Sequence, residues 1–160
     1  MIRSPQPGDA PDIAALWNHM IRETLNTFTT EQKTTGEIQQ ICAARQGAFL
    51  VAEKDGGFAG FMTFGPFRSG PGYVATVEHT ILVVPTAAGT GIARELLIAG
   101  ESAAARQGAH AMVAGISATN HRAIAFHSRE GYSEVARMPE VGRKNDVWLD
   151  LVLMQKILAA

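Results

Sequence analysis

Two features of this chain are able to do chemistry: a small-residue loop between an apolar strand and a helix, and one carboxylate inside that strand. The loop reads Pro85-Thr86-Ala87-Ala88-Gly89-Thr90-Gly91-Ile92-Ala93-Arg94. Gly89-x-Gly91-x-Ala93 lets a ligand come close to the backbone. Amides at a helix start are unpaired and partly positive, which suits a phosphate. The segment is therefore a candidate pyrophosphate cradle. It is not a dinucleotide fingerprint, which needs a glycine or alanine three residues after the second glycine, where Arg94 stands. It is not a P-loop either, because Ile92-Ala93 follows Gly91 in place of Lys-Ser/Thr. The carboxylate is Glu78, within Thr76-Val77-Glu78-His79-Thr80-Ile81-Leu82-Val83. A charge in a β-branched, apolar strand is costly unless it has work or a partner. Glu78 reads either as a working base or as an acid on the solvent face of an alternating strand.

The elements that must position these residues follow from periodicity and breakers. Ile2 to Ser4 reads as a short strand. Asp9, Pro11 and Asp12 mark a helix start, and Ile13, Leu16, Trp17, Met20 and Ile21 recur at helical spacing. Thr34 or Thr35 caps a second helix that runs to Arg45, with Ile38, Ile41 and Cys42 inward. Phe49 to Ala52 and Phe58 to Phe67 read as strands joined by the turn Asp55-Gly56-Gly57. Arg68 to Gly72 is a Gly/Pro loop, and Val74 to Val84 is a long strand stopped by Pro85. A helix from Thr90 to Gln107 ends at Gly108; a buried strand, Ala111 to Ser117, follows. Asn120 to Arg129 is a helix, and Tyr132 to Met138 and Val147 to Ile157 are the last strands. This order is α/β or α+β with a mixed sheet, in one domain spanning residues 1–160.

Composition bounds the function class. A net charge of -1 argues against a nucleic-acid or polybasic membrane partner. No apolar run reaches the roughly 18 residues of a membrane span, and no signal-peptide core precedes the first strand. The single cysteine, Cys42, allows no internal disulfide, so a reducing, cytoplasmic setting is expected; Cys42 itself reads as a small buried helix residue. His19, His79, His110 and His121 show no metal-ligand spacing, and no metal is expected. His79 alternates with Glu78 and should face the other way.

The loop and its flanks together resemble a known family. Beyond Thr76 to Arg94 these are Val113-Ala114-Gly115-Ile116, Asn120-x-x-Ala123-Ile124-x-Phe126-His127-x-x-x-Gly131-Tyr132, Val141-Gly142-x-Lys144-x-x-x-Trp148-x-Asp150 and Met154-Gln155. They resemble the GNAT N-acetyltransferase superfamily, in its phosphinothricin acetyltransferase branch, and most of all the bacterial methionine sulfone/methionine sulfoximine acetyltransferases. The likeness runs from about Ile2 to Leu158. It implies a mostly antiparallel central sheet flanked by helices, with the strands Val74–Val84 and Ala111–Ser117 splayed to bind acetyl-CoA. Backbone groups of Ile81, Leu82 and Val83 would then hold the pantetheine arm as an added strand does. Gly89, Thr90, Gly91, Ile92, Ala93 and Arg94 would hold the pyrophosphate, and Asn120 would both cap its helix and bond the coenzyme. Arg94 and Arg129 read either as phosphate contacts or as solvated helix charges. One departure is Ala88, where the family has Gln or Arg; the loss is about 1 kcal/mol for one hydrogen bond.

Acetyl transfer to an amine sets three demands: a base for the amine, polarisation of the carbonyl oxygen, and a proton for the departing thiolate. The resemblance assigns the first to Glu78, directly or through water, and the third to His127, which otherwise reads as a packed helix histidine. The oxyanion donor is expected to be a backbone amide near Leu82. Tyr132 reads as core. A guanidinium grips a carboxylate with two parallel bonds. Arg68 is thus expected to hold an amino-acid acceptor's carboxylate, beside Tyr73 and Thr76, with Phe28 as a wall; the alternative for Arg68 is a surface loop charge. The implied activity is acetyl transfer to the α-amine of methionine sulfone, methionine sulfoximine or phosphinothricin, in a ternary complex, by a homodimer. The alternatives are another small-molecule or protein amine as acceptor, or a non-catalytic acyl-CoA-binding module.

Overall fold

Strand alternation sends Phe49, Val51 and Phe61 to one side of a sheet and Ala52, Met62 and Phe64 to the other, and both sets are buried. A sheet buried on two faces needs a helical layer on each. The computed structural model, which describes residues 1–158, has that arrangement. The strands are β1 (Ile2–Arg3), β2 (Phe49–Lys54), β3 (Gly57–Pro66), β4 (Thr76–Val83), β5 (Ala111–Ser117), β6 (Ser133–Lys144) and β7 (Val147–Ile157). They form one seven-stranded sheet in the order β1-β2-β3-β4-β5-β7-β6. All neighbours are antiparallel except β4 and β5. The helices are α1 (Ala10–Glu23), α2 (Thr35–Ala44), α3 (Ile92–Arg106) and α4 (His121–Arg129). Among the described residues no helix is long and apolar enough to cross a membrane.

Leu96, Leu97 and Ala104 of α3 pack on Met62, Phe64, Met112, Ala114, Val152 and Met154; Ile124 and Phe126 of α4 join the same core. On the other face, Ile13 and Leu16 of α1 and Ile38 of α2 pack on Phe49, Val51 and Phe61. Each fully buried side chain of this size contributes about 1.5–3 kcal/mol relative to exposure. The α1/α2 core takes in β2 and β3, and it stops short of β5 and β7. Part of the central sheet is therefore left without a helical cover.

Local signals explain the boundaries. Thr34 caps α2 by accepting from the Glu37 amide at 3.1 Å, and Glu37 accepts from the Thr34 amide in return. Asp55 and Gly56 take positive φ in the β2–β3 turn. Strands β5 and β7 have the expected limits. Asp9, Pro11 and Asp12 stand at the start of α1 as expected; the Asp9 carboxylate accepts from Arg3 at 2.7 and 2.9 Å and from the Gln6 amide. Two expectations need correction. The long strand starts at Thr76 rather than Val74, because Pro71–Tyr73 form a 3-10 turn. Strand β6 runs past Met138 to Lys144. A bulge between Met138 and Gly142 absorbs Pro139 and the positive φ of Glu140, and Asn145-Asp146 turn the chain into β7.

Candidate active site

The site is an opening in the sheet. The parallel ladder between β4 and β5 runs from Thr76–Ala111 to His79–Ala114 and stops there. Both strands continue, β4 through Thr80–Val83 and β5 through Gly115–Ser117, without pairing with each other. Their facing edges are left for another extended chain. Ile81, Leu82 and Val83, the residues expected to bind pantetheine, stand on that unpaired stretch.

Beyond Val83 the chain enters α3 through glycines. Gly89 has φ 76° and Gly91 φ 90°, a backbone conformation that side chains disfavour. A Cβ at either would meet nothing within 4 Å, so the space beside the loop is open. Gly91 is the N-cap of α3 and offers no side chain to its first amides. Thr90 is exposed, and its hydroxyl donates to Ala87 O at 2.7 Å. Arg94 reaches Glu130, at the C-cap of α4, at 3.2 Å. It is thus already paired, although it remains mostly exposed. Asn120 caps α4, its Oδ1 accepting from the Ala123 amide at 3.2 Å. Arg129 is exposed in the last turn of α4. A chain with a pyrophosphate and an extended amide-bearing arm fits this combination of open strand edges and glycine cradle.

Glu78 lies on the α1/α2 face. Its neighbours along β4 show the alternation: Val77, Ile81 and Val83 pack in the α3 core, whereas Leu82 packs with the α1/α2 core. The Glu78 carboxylate extends across β4 towards Gly115 of β5, and it has no hydrogen-bond or ion-pair partner among the described side chains. Partial burial raises its pKa above the usual carboxylate value. A partly dry, unpaired carboxylate at the mouth of an open strand pair is well placed to take a proton. Thr76 lies two residues away on the same face. Gly115 is exposed, although its neighbours on β5 are buried. Leu151 of β7 approaches Gly115, and Leu149 follows towards β6.

The far side of this open face is walled by Phe28. A Cβ at Gly142 would fall inside the Phe28 ring, so the glycine admits it. Lys144, 3 % exposed, donates to Thr24 O at 2.8 Å, Thr27 O at 2.9 Å and Thr27 Oγ1 at 3.2 Å. One buried ammonium thereby ties the segment after α1 to β6. Trp148 is 55 % exposed and carries the Arg143 guanidinium 4.7 Å above its ring.

His127 is on the opposite, α3/α4 face. Its Nδ1 is 2.8 Å from Ala123 O and its Nε2 is 3.3 Å from His79 Nε2; the two rings stack at 5.1 Å. Both are buried, and Tyr132 packs edge-on against each. A ring nitrogen facing a carbonyl must carry the proton. Nδ1 of His127 is therefore protonated and Nε2 accepts from His79. Burial lowers the pKa of both, His79 to about 3, so the pair is neutral near pH 7. In this arrangement the Nε2 of His127 faces His79 across the buried pair. The expectation that His79 faces away from Glu78 holds, but its meeting with His127 was not legible, because it depends on how α4 docks.

Arg68 lines a surface cavity of about 480 Å³ together with Arg45 and Gly65 from the α1/α2 face and Phe64 and Val77 from the α3 face, and its guanidinium lies 5.7 Å from the Tyr73 ring centroid. A second cavity, about 690 Å³, is lined by residues of the N-terminal segment and α2, including Cys42. Neither of these two cavities is lined by Glu78. Among the described residues no group of three or more His, Cys, Asp or Glu is placed to hold a metal.

Comparison with known proteins agrees with this geometry. The acetyltransferase (GNAT) family matches residues 13–132. The L-methionine sulfoximine/L-methionine sulfone acetyltransferase of Salmonella typhimurium is 36 % identical, over 96 % of this chain and 92 % of its own. A phosphinothricin N-acetyltransferase of Streptomyces coelicolor is 31 % identical, over 94 % and 91 %. The structure of a Salmonella typhimurium acetyltransferase with its cofactor acetyl-CoA superposes with a TM-score of 0.94, covering 100 % of this chain and 94 % of that one. A seven-stranded sheet opened between β4 and β5, a glycine cradle at α3 and these matches have one common explanation: the chain belongs to the GNAT acetyltransferase family.

Proposed function

We propose that this enzyme transfers the acetyl group of acetyl-CoA to the α-amine of a small amino-acid analogue of the methionine sulfone, methionine sulfoximine or phosphinothricin type. The observation that carries the reading is Glu78, unpaired and half-buried at the point where β4 and β5 separate. The unpaired edge at Ile81, Leu82 and Val83 holds the pantetheine arm. The amides from Gly89 to Arg94 hold the pyrophosphate. Acetyl-CoA supplies the thioester carbonyl. Glu78 takes the amine's proton, directly or through a water. An amine with a pKa near 10 is about three units from neutral at pH 7, which costs roughly 4 kcal/mol. A backbone amide near Leu82 faces the carbonyl oxygen as charge grows on it. The names of the similar enzymes from Salmonella and Streptomyces support the acceptor class.

A second reading turns on Arg68, whose cavity is not lined by Glu78. If the guanidinium holds no carboxylate, an acceptor lacking one, such as a polyamine, or a peptide N-terminus, fits as well. CoA release measured on methionine sulfone, methionine sulfoximine, phosphinothricin, polyamines and short peptides decides. Saturable turnover on the first three supports the proposal; turnover confined to polyamines or peptides replaces the acceptor and keeps the fold.

We further propose a homodimer in a reducing, cytoplasmic setting. Val135, Met138, Val141, Val147 and Trp148 are exposed apolar side chains grouped on β6 and β7, which supports association through that edge. Sedimentation at micromolar concentration tests it: a monomer would remove the proposal.

A further inference from the structure

Gly115 is the first residue of β5 beyond the last ladder pair, His79–Ala114. It is exposed in a strand whose other six residues are buried. Its φ is not positive, so the backbone does not require glycine there. A glycine inside a strand is a net cost, because it orders a flexible backbone and offers no side chain to pack. What it provides is space. An ideal Cβ on Gly115 would lie 2.8 Å from Glu78 Oε1 and 3.7 Å from Leu151 Cδ1. The first distance is one that real Cβ atoms do not tolerate, so the carboxylate would have to move. No described side chain bonds to Glu78, and the notch over Gly115 is therefore what locates it.

We propose that Gly115 is a positioning residue for acetyl transfer: its missing side chain is the seat that holds the Glu78 carboxylate across the throat between β4 and β5. This rests on the reading of Glu78 as the base. The amine and the thioester must meet where the strands part, and the seat keeps an unanchored carboxylate at that point. The atom displaced by a methyl group is the far end of a flexible side chain, so Gly115→Ala leaves the fold intact and moves the carboxylate.

The test uses the whole enzyme with methionine sulfone and acetyl-CoA. Gly115→Ala should keep the wild-type melting temperature and the KM for acetyl-CoA, and lose about 10- to 100-fold in kcat, the scale of an ångström-level misplacement. In a Glu78→Gln background the same substitution should cost nothing more, because the displaced group is no longer a base. Carboxyl NMR gives a readout independent of turnover: Glu78 should titrate lower in Gly115→Ala, as the group moves out to water. A wild-type kcat with an unmoved titration would overturn the proposal, as would an equal loss of kcat in both backgrounds. The Glu78→Gln enzyme alone separates the two levels. If it turns over normally, the base and its seat fall together. If it is impaired and Gly115→Ala is not, only the seat falls.

Discussion

At the scale of single residues, environment separates two groups that sit near one another in sequence. Glu78 faces the open side and is raised by partial burial. His79 faces the covered side and is held neutral with His127. Replacing His127 by Phe keeps the packing and removes the acceptor for His79 Nε2–H. Stability should fall by about 1–3 kcal/mol, the cost of a buried unsatisfied group. Turnover per folded enzyme tests the acid role separately: a loss of about a hundredfold or more would support it, and a rate within a few fold would reduce His127 to packing. Arg68→Ala should raise the KM for methionine sulfone about tenfold or more if its guanidinium holds the acceptor's carboxylate. An unchanged KM would favour an acceptor without one. Glu78 was legible in the sequence because a carboxylate in an apolar strand needs a reason. The cavity that Arg68 shares with Arg45 was not, because a Gly/Pro loop carries no periodicity from which to read a direction.

At the scale of elements, the site depends on where pairing stops and where helices start. The breaker Pro85, the glycines before α3 and the cap at Asn120 are local, and the sequence shows them directly. The splay between β4 and β5 is not local. Both strands read as continuous apolar runs, and only the family likeness announced that they part. Strand β6 runs beyond the expected end at Met138 because a bulge carries it past Pro139. That continuation matters, since it delivers Gly142 and Lys144 to the segment after α1. Lys144→Met removes three hydrogen bonds and leaves the Thr24 and Thr27 carbonyls without a donor. Proteolysis should then cut between Thr24 and Lys33 faster than in the wild type, and the KM for the acceptor should rise as Phe28 loses its seat. Unchanged cleavage would show that Phe28 alone holds the segment. Gly91→Ala, at φ 90°, should cost about 1 kcal/mol in unfolding.

At the scale of the whole molecule, the sheet carries two environments at once, a dry imidazole pair under α4 and an unpaired carboxylate on the uncovered face. The imidazole pair links stability to pH. Its folded pKa values are depressed below the ordinary 6.5, so the unfolded chain binds protons first as the pH falls. The contribution is complete above about pH 6.5 and is lost below it, for His79 down to about pH 3. The slope is about 1.4 kcal/mol per pH unit for each histidine held neutral. Urea midpoints between pH 7.5 and 5 should fall in the wild type and fall less steeply in His79→Phe; parallel curves would remove the pair from the account. The central claim, that Glu78 at the opening of the sheet drives acetyl transfer, is tested most directly by kcat/KM against pH with methionine sulfone for wild type and Glu78→Gln. The account expects an acid limb above the ordinary carboxylate range in the wild type, and its disappearance together with a loss of about 100-fold or more in the variant. A variant with wild-type rates and the same acid limb would contradict it.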